Sequence, residues 1–183
     1  MKKFLSVILV LTMTVAMLSG CGKQEAAQTE ATTAPAATVE GTLEELLNRV
    51  IEERPVEFMG GVTTLDLADT SEDGQWILKN TTGLDSADRI TEAAVYEPMI
   101  GSIAFSMVMV RVAPGESTKT VAEAMKSGVD PRKWICVEAD DMLVAGYADV
   151  VMLIMVSTSS NMTAQSFVDA FQKVVGGEPE FVI

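Results

Sequence analysis

Cys21 and Cys136 are the only thiols in this chain, and no histidine is present to activate either of them. That absence removes the commonest general base and the commonest metal ligand together. Cys136 lies in the apolar run Trp134-Ile135-Cys136-Val137, so it is expected to act as a small buried hydrophobe rather than as a nucleophile. Glu138, Asp140 and Asp141 supply oxygen ligands at a spacing that could hold calcium, but the twelve-residue grammar of an EF-hand is missing. Turn chemistry explains them more simply. Met107 and Met109 share a strand face, and Met152 and Met155 lie on another element. Soft thioethers can select copper(I), but methionines inside apolar strands are expected to fill the core. Ser157-Thr158-Ser159-Ser160 offers hydroxyls without a Gly-x-Ser-x-Gly elbow or a base, and reads as capping residues for a following helix. Arg111 is the one charge inside a long apolar strand. It either reaches water from a strand end or meets a ligand or carboxylate in a cleft. No catalytic, metal-ligating or cofactor-binding residue is assigned, and the expectation is a protein that is not an enzyme.

Charge narrows the partners further. All 26 acidic residues follow Cys21 and two of the 13 basic ones, Lys2 and Lys3, precede it, so a chain cut before Cys21 carries −15. Such a surface repels nucleic acid and anionic lipid headgroups, and no basic patch offsets it. With Cys21 committed elsewhere, Cys136 has no partner for an intramolecular disulfide or a zinc cluster.

The elements that position these residues follow from periodicity. Gly22 to Glu40 is mostly Ala, Thr, Gln and Glu, too polar to offset its chain entropy, and reads as a disordered tether. Order is expected from Thr42, where Thr42-Leu43-Glu44-Glu45 fits a capping box, and Leu43, Leu46, Leu47, Val50 and Ile51 form one stripe. Pro55 stops that helix. Val56 to Leu67 is a loop with at most a short strand, broken by Gly60-Gly61. A short helix over Gln75 to Thr82 ends at Gly83, with Trp76, Ile77 and Leu84 as its buried residues. Strands follow over Ile90 to Tyr96 and Ser102 to Val112, the second apolar on both faces and therefore central. Ser117 caps a helix that Gly128 stops. Lys133 to Ala139 is expected as a strand, with Asp140-Asp141 as a tight turn and Met142 to Gly146 as its hairpin partner. Val150 to Val156 is a further strand, and the last helix runs from Ala164 to Val175. The sum is an α+β domain, two-layered, with a mainly antiparallel sheet and amphipathic helices packed on one face.

Leu18-Ser19-Gly20-Cys21 closes the apolar run from Phe4, which follows the basic start Met1-Lys2-Lys3. This stretch resembles the lipobox signal of bacterial lipoproteins. The resemblance implies that a diacylglyceryl group is attached to Cys21, that the signal is cut just before it, and that the new N-terminus is often acylated. The apolar stretch is shorter than the roughly 20 residues needed to span a bilayer, and no stop-transfer cluster follows. Two or more acyl chains suffice for stable anchoring. The expected organisation is a signal over 1–20, a lipidated cysteine and tether over 21–40, one α+β domain over 41–178 and a tail over 179–183.

Ala94-Val95-Tyr96-Glu97-Pro98, the strand ending at Arg111-Val112, the helix over Val121 to Met125, the strand Val150 to Met155 and a terminal helix with Phe167 and Phe171 resemble a family of small Gram-positive lipoproteins classed as a domain of unknown function. The likeness spans roughly Thr42 to Gly176. It implies an accessory role on the outer face of the cytoplasmic membrane and transfers no activity; with the missing histidine and nucleophile elbow, the expectation is a non-enzymatic interaction or accessory module. It suggests a membrane acyltransferase system for surface polymers as a partner. A small solute- or metal-binding lipoprotein, with a pocket near Arg111 or Trp134, is the alternative.

Overall fold

The computed structural model describes residues 37–183. The signal, Cys21 and the chain up to Ala36 lie outside the described residues.

Among the described residues, four helices and six strands follow one another: α1 (Leu43–Glu53), β1 (Gly60–Thr64), α2 (Glu72–Thr82), β2 (Ile90–Pro98), β3 (Phe105–Val112), α3 (Thr118–Gly128), β4 (Asp141–Tyr147), β5 (Val150–Val156), α4 (Ala164–Val175) and β6 (Phe181–Val182). A single turn of 3₁₀-helix covers Thr158–Ser160. The strands make one antiparallel sheet in the order β1-β2-β3-β5-β4-β6. The α+β class and the antiparallel sheet are as expected.

β3 and β5 are central, and their alternation builds the core. Phe105, Met107, Met109, Met152 and Ile154 face α1 and α4, against Leu43, Leu46, Leu47, Val50, Phe167 and Phe171. Val108, Val110, Val151, Leu153 and Met155 face the opposite way, against Leu78, Val121, Ala122 and Met125 of α2 and α3. The amphipathic α1 and α4 thus pack together on one face, and α2 and α3 add a cover on the other. This is why β3 is apolar on both sides. Each leucine fully buried in such a layer contributes on the order of 2 kcal/mol. The helix ends follow the sequence: Thr42 and Glu45 complete the capping box, and Gly83 adopts φ 80° after α2.

Five expectations are corrected. Order starts before Thr42, because Val39 is already packed against the core and hydrogen-bonded. Residues 133–139 are not a strand. That loop bonds to itself, with the Ala139 amide donating to Pro131 O, and it reverses at Cys136 with φ 67°. Cys136 is therefore exposed rather than buried. Trp76 and Ile77 are exposed; Leu84 is buried as expected, and Leu78 joins it in the core. The stretch expected as a tail holds β6, where Phe181 pairs with Gly146 and its ring fills the space a Cβ there would need.

Candidate functional site

The two ends of the sheet are built differently. At the near end, β2 begins, β3 finishes and the β4–β5 turn sits. The ladder slips by one residue between Ile90 and Glu92. That bulge leaves Ile90 on the α3 side but turns Glu92 to the α1 side, directly opposite Arg111. The Arg111 guanidinium donates from Nε to Glu92 Oε2 at 3.2 Å and from Nη1 to Asp149 Oδ2 at 2.8 Å. It also donates to Val39 O at 3.0 Å and to Gly41 O at 2.7 Å. The same two carboxylates accept from the incoming backbone, Asp149 from the Val39 amide and Glu92 from the Leu43 amide, both at 2.8 Å. Burial acts to lower the Arg111 pKa, but the hydrogen bonds and charges of Asp149 and Glu92 outweigh it and the net shift is upward. Of the two sequence readings of Arg111, the carboxylate partner holds, but in a closed clamp rather than beside a ligand pocket. The clamp fastens the start of the domain to the sheet.

The far end lies about 23 Å away, the length of seven extended residues from Glu92 in β2 to Met99 just beyond it. Here Lys133, its side chain only 4% exposed, donates to Glu97 Oε1 at 2.7 Å and to the buried Ser106 Oγ at 3.0 Å, with its ammonium 5.4 Å from the Trp134 ring centre. This pins the 129–140 loop beside the ends of β2 and β3. Around it stand large apolar side chains open to solvent: Met59 (78%), Met99 (73%), Ile100 (59%) and Ile135 (83%). The main chain ties two of them together, because the Met99 amide donates to Met59 O.

Two open clefts sit at this same end. One, of about 330 Å³, is lined by Arg54, Glu57, Phe58, Ile103, Asn161 and Met162 among others. The Arg54 guanidinium is engaged beside it, by Ser166 Oγ, Pro55 O and the Phe167 ring. The other, of about 340 Å³, is lined by Ser102, Glu138, Asp140, Ser157, Ser159 and Ser160, and meets the first at Ile103 and Ser160.

The structure places the sequence candidates as follows. Asp140 accepts from the Thr158 amide and hydroxyl at 2.7 Å each, and these bonds hold its carboxyl below the usual range. Asp141 accepts from the Ala164 amide at the start of α4. The acidic group therefore anchors the β5–α4 connection instead of forming a hairpin tip, and Glu138 stands apart, exposed. Ser157 makes no cap; its Oγ lies 2.8 Å from Ser159 Oγ, and Thr163 caps α4. Met107, Met109, Met152 and Met155 are buried in the core. Arg111 and Trp134 lie at opposite ends of the sheet. Sequence reading missed Glu92 and Lys133 as clamp residues. Val39 carried a signal, as the one large apolar residue of its stretch.

No family model matches this chain, and no curated protein or solved structure matches it either.

Proposed function

We propose that this protein is a lipid-anchored, extracytoplasmic lipoprotein that acts as a non-enzymatic interaction module, held through Cys21 on the outer face of the cytoplasmic membrane. The observation that carries the interaction half is the exposed apolar group Met59, Met99, Ile100 and Ile135, with the clefts beside it. Large exposed apolar side chains gathered at one end of a fold favour a contact surface there. It lies at the end of the sheet opposite the Arg111 clamp, where the chain coming from Cys21 is fastened. A domain tethered at one end is free to present the other to a protein in the envelope.

The anchoring half rests on the Leu18-Ser19-Gly20-Cys21 signal. In cells, Cys21→Ala is expected to block cleavage and to move the protein out of the detergent phase in a phase-partition assay. A processed, detergent-partitioning Cys21→Ala protein would refute the anchor.

A further inference from the structure

We propose that the outer edge of β1 accepts an extended strand from the partner, a segment with an uncharged centre and a basic residue at each end. This rests on the interaction-module reading above and names the chemistry of its partner.

The ladder fixes which groups face outward. The Leu65 amide donates to Ala93 O and the Met99 amide to Met59 O, so the odd-numbered residues of this stretch bond inward to β2. In an antiparallel pair, alternate residues turn their N–H and C=O away. Gly60, Val62 and Thr64 therefore offer three donors and three acceptors at the edge, and none of these finds a partner among the described residues. Edges of this kind are usually blunted by a charge, a proline or shortness. β6, the opposite edge, is two residues long and follows Pro179. β1 has no such protection: Phe58 to Leu65 contains neither charge nor proline.

Side chains define what fits. Gly60 cannot carry a Cβ, which would lie 2.6 Å from the Tyr96 ring, but a Cβ at Gly61 meets nothing within 4 Å. A bulky apolar residue of an added strand can settle over Gly61, next to exposed Met59, which shares that face by alternation. Exposed Glu57 and Asp66 bracket the strand with one negative charge at each end. Self-pairing centred on Val62 would use all the free groups, but it would bring Glu57 of one copy close to Asp66 of the other, between two strongly acidic chains. Lysine or arginine at both ends of a foreign strand suits the same acids in either strand direction. Main-chain bonds then give affinity and the flanks give selectivity.

The test is fluorescence anisotropy on the full-length chain in detergent. The probe is a nine-residue peptide of alternating threonine and valine, with a central phenylalanine and a lysine at each end; a second probe carries glutamate in place of both lysines. The lysine form is expected to bind about ten-fold tighter or better at low salt, a gap that closes as salt rises. Val62→Pro removes an outward N–H and leaves the inward ladder intact, so it should fold and bind about ten-fold more weakly. The double variant Glu57→Lys, Asp66→Lys leaves the ladder untouched and should reverse the preference between the probes, which keeps the test decisive if Val62→Pro does not fold. Equal binding of both probes, no binding, or indifference to both variants overturns the proposal. So does a dimer of the chain alone, seen by sedimentation and lost in Val62→Pro, which assigns the edge to self-pairing. Each of these outcomes leaves Cys21 anchoring and partner contact at Met99 and Ile135 to stand or fall on their own tests.

Discussion

The near and far ends of one sheet solve opposite problems. At the near end a guanidinium, two carboxylates and four backbone groups satisfy one another in a closed network. At the far end one buried ammonium pins a loop, while methionines and isoleucines stand in solvent beside two clefts. The contrast teaches that buried charge is used here for fastening, and it is the exposed apolar side chains of the far end that carry the proposed contact. Under the proposed function, Arg111, the charge that the sequence singles out, lies at the end opposite the contact surface.

The comparison breaks most visibly at its fastening end. Arg111→Met leaves Glu92 and Asp149 facing each other in a mostly buried site and frees residues 39–43. The expected loss is about 3 kcal/mol in urea unfolding, with faster amide exchange at Val39 and Leu43. A loss below about 1 kcal/mol would mean that the clamp is incidental. Lys133→Met at the far end should cost less, about 1–2 kcal/mol, since it removes one charged hydrogen bond from Glu97 and one from Ser106. Its exchange signature should be confined to the 129–140 loop. Ile135→Asp and Met99→Asp are expected to change stability by no more than about 0.5 kcal/mol, because neither side chain is buried.

How much of this was legible beforehand follows from range. Local signals were sufficient wherever a side chain bonds its own turn: the Thr42 capping box, the Gly83 stop and the alternation of β3 needed no distant partner. Long-range pairings were not legible. The bulge that turns Glu92 toward Arg111 is set by register against β3, and nothing in Thr91-Glu92 announces it. The apolar run around Cys136 has strand-like composition, yet Lys133 ties it to Glu97 and Ser106 as a loop. Phe181 and Val182 are too few to read as a strand without the space that Gly146 leaves for them. The free edge of β1 was hidden for a similar reason, because Gly60-Gly61 reads as a break until Tyr96 is seen lying across it.

The smallest expected effect is a titration. The Asp140 carboxyl sits below the ordinary aspartate value because the folded state hydrogen-bonds its ionised form through Thr158. The tie is thus fully present above that value and is lost as pH falls through the lower folded one. An acid titration of the Thr158 amide resonance should show that step, and Asp140→Asn should abolish it.

The central claim is that partners meet the end of the sheet remote from the clamp. A photo-crosslinking residue placed in turn at Met99, at Ile135 and, for the near end, at Ala148 of the membrane-anchored chain tests it directly. The account predicts a discrete adduct of the same mass from Met99 and Ile135 and none from Ala148. Adducts from Ala148 alone, or equally from all three positions, would contradict it.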